Sequence, residues 1–226
     1  MIQTKTFCST LTTFSASFKL AGVEIGNRMT VIKCDNDKLW VHSPILLDTK
    51  TKQALSGMGD VTWAISPNLF HYLHVHSFHS HFPNCALFGV NGIEKKEKKC
   101  SFNLLNNNSA DELWHPPIKQ LQIQGMPNAN EVVFLHPESK TLIVTDLLFN
   151  CYPTKLWSKL FLKLNGAYNK CCSTRIFKSF ISDKNKFKDS IDQLLTWDFD
   201  RIILTHGNII EKNGKEIFEK SFSWLY

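Results

Sequence analysis

The sequence predicts an α/β protein with sheets at the centre and helices outside. Three observations carry this. Segments with strand-like and helix-like periodicity alternate along the chain, and two strand pairs are joined by short turn sequences. The third is size: 226 residues, 43% hydrophobic and 20% charged, with seventeen Phe and six Trp, suffice for one well-buried core and are short for two. The expectation is a single domain over 1–226, with 1–21 as a flexible N-terminal extension and 91–112 as a polar loop marked by EKKEKK and Asn106-Asn107-Asn108.

The elements follow in order. MTVIKC and KLWVHS flank Asp35-Asn36-Asp37, a turn signal, and form a hairpin. Residues 48–58 read as a helix started by Asp48 and stopped near Gly57 and Gly59. VTWAIS is a buried strand. In LFHYLHVHSFHSHF, the residues Leu69, Leu73, Phe78 and Phe82 recur at helical spacing, with Asn68 as the cap. CALFGV, LQIQG, EVVFLHP and KTLIVTDLLF are strands, the last two joined through Pro137-Glu138-Ser139-Lys140. Residues 153–165 and 183–196 are helices, RIILT is a buried strand ending at His206-Gly207-Asn208, and 214–225 is a closing helix.

Seven scattered cysteines, odd in number and without a C-x-x-C pair, suggest neither a disulfide framework nor a thiolate zinc site; a reducing, cytoplasmic setting is expected. The first twenty residues are too polar for a signal peptide, and no apolar run reaches membrane-spanning length, so no membrane partner is expected. The net charge of +6 raises nucleic-acid binding as a distant alternative, but the densest basic run is interrupted by Glu94 and Glu97 and carries no aromatics. No serine-nucleophile elbow, phosphate loop or dinucleotide fingerprint is present.

Polar residues at strand ends gather at one rim of such a fold, and here they are Asn68 and His71 after VTWAIS, Asp146 after TLIVT and His206 after RIILT. The histidine-rich HVHSFH at 74–79 competes with them by composition. On a helix, positions two apart point to nearly opposite sides, so His74 and His76 cannot share one ion. His42 and Asn68, Tyr72 and His74 are candidate rim-lining residues. The plain structural alternatives are that His71 bonds a loop carbonyl, Asp146 caps a turn and His206 anchors its own loop.

The blocks NRMTVIKC, LWVHSPILLD, SPNLFHYL, EVVFLHPESKTLIVTDLLFN and WDFDRIILTHGNII, in this order, resemble a branch of the metallo-β-lactamase fold, a domain-of-unknown-function family. The resemblance implies an αββα sandwich of two mixed sheets flanked by helices, with metal chemistry at the rim. It also implies that Pro67, Leu69 and Met126 stand where the first metal's histidines belong. His71 stands for the motif's aspartate, Asp146 for the bridging carboxylate and His206 for the last histidine. The implied site is one divalent metal, Zn, Fe or Mn, held by His71, Asp146 and His206, with Asp146 and His71 as the catalytic pair in hydrolysis of an unidentified small molecule. The alternative is no cofactor and a non-catalytic binding or scaffold domain that has lost the chemistry. Oligomeric state is left unspecified.

Overall fold

The computed structural model describes residues 2–105, 114 and 118–226. Its strands are β1 (Gln3–Cys8), β2 (Leu11–Ala16), β3 (Lys19–Leu20), β4 (Val23–Glu24), β5 (Asn27–Lys33), β6 (Lys38–His42), β7 (Asp60–Ser66) and β8 (Ala86–Gly89). They continue with β9 (Asn103–Leu104), β10 (Lys119–Gln122), β11 (Val132–His136), β12 (Thr141–Val144), β13 (Phe149–Asn150), β14 (Cys171–Cys172) and β15 (Arg201–Leu204). The helices are α1 (Thr49–Met58), α2 (Val75–His81), α3 (Leu156–Leu164), α4 (Arg175–Lys178), α5 (Lys184–Leu195) and α6 (Gly214–Phe222). Two compact units are formed, residues 1–16 with 28–118 and residues 17–27 with 119–226.

The first unit is built on a seven-stranded sheet in the order β1-β2-β5-β6-β7-β8-β9. The β5–β6 pair is antiparallel and turns through Asn36 and Asp37, both at positive φ, a conformation that Asn and Asp tolerate. β6, β7, β8 and β9 then run parallel to one another. The crossover from β6 to β7 is α1, where the Asp48 carboxylate accepts from the Thr51 amide at 2.8 Å and Leu55 is turned into the core. Phe14, Met29, Val41, Val75 and Phe78 belong to the same apolar cluster.

Three expectations for this unit are corrected. Residues 3–16 are not an extension: they pair as β1 and β2 at one side of the sheet, and Leu11 and Phe14 are buried. The helix expected from Asn68 begins only at Val75, because residues 68–74 form bends and turns. Residues 91–105 hold a 3-10 turn at Ile93–Lys95 and the strand β9, with Ile93 and Cys100 buried; the rest of the expected loop, 106–112, lies outside the described residues.

In the second unit, β10, β11 and β12 are antiparallel neighbours and β15 joins β12 in parallel. β11, β12 and most of β15 are buried on both faces, which is why their sequences read as continuous apolar runs. The turn between β11 and β12 closes with the Lys140 amide on the Pro137 carbonyl at 3.0 Å. α5 starts at an Asp183 cap, and α6 packs Phe218 and Phe222 inward. The short α4, capped by Thr174, was not foreseen. All seven cysteines carry free thiols. No described helix is long and apolar enough to cross a membrane.

Candidate metal centre

Strand register alone brings Asp146 and His206 together. β12 and β15 run parallel with Val144 opposite Leu204, and the Thr205 amide donates to the Val144 carbonyl at 3.1 Å. Residues two positions beyond that matched pair therefore leave the sheet side by side. Asp146 Oδ1 lies 3.4 Å from His206 Nε2, and both side chains are largely buried.

Each residue of the pair is held from behind. The buried Glu131, entering β11, accepts three consecutive backbone amides, from Thr145 at 2.8 Å, Asp146 at 3.0 Å and Leu147 at 3.2 Å. These are the amides that a strand ending at Val144 leaves without ladder partners. Burial, then the charge of Asp146, pushes the Glu131 carboxyl above the ordinary range, against the opposite pull of the amide donors. On the other side, His206 Nδ1 lies 2.7 Å from the Gly26 carbonyl oxygen. A carbonyl only accepts, so Nδ1 carries a proton, and the tautomer this selects is the one whose lone pair is on Nε2, facing Asp146. Phe149 stacks on that ring at 5.0 Å between centroids.

His71 is positioned in the first unit by an equivalent device. After β7 ends at Ser66, the buried Asn68 Oδ1 accepts from the Phe70 and His71 amides, both at 2.9 Å, and bends the chain out of helical conformation. His71 Nδ1 then meets Ser43 Oγ at 2.9 Å. Ser43 directly follows β6 at φ 52° and donates its amide to the Ile65 carbonyl at 2.9 Å, so its hydroxyl is fixed at the end of the neighbouring strand.

The remaining candidates are placed as follows. His42 is fully buried, stacked on Trp40 at 5.7 Å, and driven down to about 3 by burial and by His71, so it is neutral. Tyr72 packs against the apolar cluster of the first unit, and its carbonyl accepts the Val75 amide. His74 stands at the N-terminal end of α2, and burial and His71 lower its pKa. The remaining histidines of the 74–81 stretch turn to separate neighbours: His76 to Cys100, His79 to Cys85 and His81 to Lys52. Ser43, Glu131, Gly26 and Phe149 were missed by sequence reasoning. Only Glu131 carried a signal, as a lone acid opening the apolar run VVFLH.

Residues 9–155 match a family model described as a domain of unknown function, DUF4336. The chain belongs to the DUF4336 family. No curated protein matches it. Among solved structures, this DUF4336 chain is similar to a metallo-β-lactamase from Pontibacter korlensis at TM-score 0.69 and 10% identity, covering 100% of this chain and 99% of that one. It is similar to the metallo-β-lactamase FIM-1 from Pseudomonas aeruginosa in its mono-zinc form at TM-score 0.69 and 12% identity, covering 99% and 94%. A fragment of a putative diflavin flavoprotein from Nostoc sp. PCC 7120 aligns at TM-score 0.68 and 11% identity, covering 99% and 96%. The DUF4336 chain therefore has an α/β fold of the metallo-β-lactamase type, with mixed sheets and flanking helices.

Proposed function

We propose that the chain binds one divalent metal through His71, Asp146 and His206, each of which offers one ligand atom, and acts as a mononuclear metal-dependent hydrolase. The observation that carries this reading is the His206–Asp146 pair. A lone-pair nitrogen and a carboxylate oxygen 3.4 Å apart are two acceptors facing each other, and they need a proton or a cation between them. Neighbouring ligands on a tetrahedral ion with zinc-type bond lengths stand about 3.3–3.5 Å apart, so the pair fits a metal. The Gly26 carbonyl on one histidine, the Ser43 hydroxyl on the other and Glu131 behind the Asp146 loop are the outer contacts that orient ligands and set tautomers.

When bound, a divalent ion supplies Lewis acidity toward a substrate carbonyl or phosphoryl oxygen and makes water more acidic near neutral pH. Asp146 would hold the ion through one carboxylate oxygen and could take the proton released in hydrolysis on the other, while the neutral His42 keeps a second positive charge away from His71. Pro67, Leu69 and Met126 offer no imidazole at the other metal position, which favours a single ion, as in the mono-zinc form of the Pseudomonas enzyme. Those same three residues support the second reading, a non-catalytic binding domain.

Metal content of the untagged protein, loaded in turn with Zn²⁺, Fe²⁺ and Mn²⁺, separates the two. A single tightly held ion per chain is expected, lost in Asp146→Ala with His206→Ala while circular dichroism is unchanged. Absence of stoichiometric metal under every loading, or metal retained by the double variant, overturns the ligand set.

A further inference from the structure

The net charge of +6 is not spread over the chain. From Leu147 to Ser182 there are five Lys and one Arg and no Asp or Glu, so this one segment carries the whole excess and the rest of the sequence balances. At its centre is α3, nine residues long with no acidic residue. At 100° per residue, Leu156, Leu160, Leu164 and Trp157 fall within an arc of about 100°, and Ser158 and Leu162 lie roughly opposite. The second pair is buried and holds the helix to its unit. The first arc is open to solvent: Leu156 is 82% exposed, Leu164 63%, Trp157 56% and Leu160 48%.

Lys155, Lys159 and Lys163 fill the arc beside this stripe. The apolar surface continues onto the β3–β4 hairpin of the same unit, where Leu20 is exposed next to Lys19, and Trp157 Nε1 donates to the Ala21 carbonyl at 3.2 Å. Arg175 donates to the Leu164 carbonyl at 3.1 Å, adding a cation at the C-terminal end of the helix.

We propose that this face docks the protein onto an anionic lipid bilayer, with α3 lying in the plane of the interface. Aliphatic side chains at i, i+4 and i+8 gain by entering the acyl boundary, lysines beside them reach lipid phosphates, and an indole with a polar edge suits the level between. A basic amphipathic segment with this cation density is matched to phosphatidylserine-type surfaces. A nucleic acid would reward the cations and the Trp but not three exposed leucines. A second copy of the chain would bring like-charged lysine rows together. The absence of a spanning run does not bear on a helix that lies in the interface.

Co-sedimentation with phosphatidylcholine vesicles, with and without phosphatidylserine, tests this on the full chain. Binding is expected only with phosphatidylserine and is weakened by salt. Leu156→Ser with Leu160→Ser, and separately Lys155→Glu with Lys159→Glu and Lys163→Glu, are each expected to raise the apparent Kd at least about tenfold while circular dichroism is retained. The idea is overturned by any of four outcomes: no binding to phosphatidylserine vesicles; binding that both folded variants retain; salt-dependent affinity for single-stranded RNA or DNA without affinity for vesicles; or a wild-type dimer in solution that the leucine variant dissociates and that does not bind vesicles.

Discussion

Glu131 fixes the loop that carries Asp146, the carboxylate of the proposed ligand set. Its two carboxylate oxygens take the amides of 145, 146 and 147, so the direction of the Asp146 side chain is set from inside the protein. Glu131→Gln keeps the shape but presents an NH₂ group to at least one amide donor. Loss of metal affinity by about 10–100-fold is expected in a chelator competition. A variant that loses thermal stability but binds metal as tightly as the parent would show that Glu131 braces the fold only. His42 yields a prediction about pH. Its ordinary value is 6.5 and the fold holds it near 3, so below pH 6.5 the unfolded chain binds a proton that the folded chain refuses. His42 therefore subtracts about 1.4 kcal/mol of stability per pH unit between 6.5 and about 3, in the same direction as His74 and His136, which burial also lowers. His42→Phe, which can keep the stack on Trp40, should flatten the urea-midpoint profile across that window by one proton's worth; an unchanged slope would assign it to other groups. At this scale the places of Asp146 and His206 just past buried strands, and of His71 in the segment after VTWAIS, were legible in sequence, while their grouping as a ligand set was only what the family resemblance implied. Ser43, Gly26 and Glu131 were not legible, because their partners lie 28, 180 and about 15 residues away and no local pattern records such contacts.

The segment after β7 shows how an element can be misread. Leu69, Leu73, Phe78 and Phe82 have helical spacing, yet Leu73 is 59% exposed and the helix begins only at Val75. Asn68 is the cause: its side chain takes the amides of Phe70 and His71 and offers the backbone a turn in place of a helix. The residue read as a cap for a helix is instead what delays it. Gly207 governs the loop that carries His206. It sits at φ 87°, and a Cβ there would lie 2.3 Å from the Asn150 carbonyl oxygen and 2.5 Å from its carbon. Gly207→Ala is therefore expected to cost more than about 1 kcal/mol in chemical denaturation and to disturb His206, whose carbonyl accepts the Asn150 amide. Parent-like stability in this variant would mean that β13 yields easily. Elements with strong period or clear caps, α1 from Asp48, α5 from Asp183 and the β11–β12 hairpin, were readable from the sequence to within a few residues.

On the scale of the whole chain, alternating strands and helices and the ordered family-like blocks were enough for the fold class, which the solved metallo-β-lactamases share. The N-terminal hairpin escaped because its composition hides it: β1 is mostly exposed, and β2 buries Leu11, Thr12, Thr13 and Phe14 in a row, without the alternation that marks a half-buried strand. Phe14→Ala should cost about 3–5 kcal/mol if those strands belong to the core of their unit, and almost nothing if they are a dispensable extension, a difference that a urea midpoint resolves. The interleaving of the two units has a temporal consequence. Residues 17–27 leave the ribosome before 28–118, yet they pack with 119–226. The first unit has all of its sequence once Ile118 has been made, while the eleven residues looped out of it wait for their partners. The proton on His206 Nδ1 answers to Gly26, so a residue made early waits through 180 further residues before it can set the tautomer of one made late.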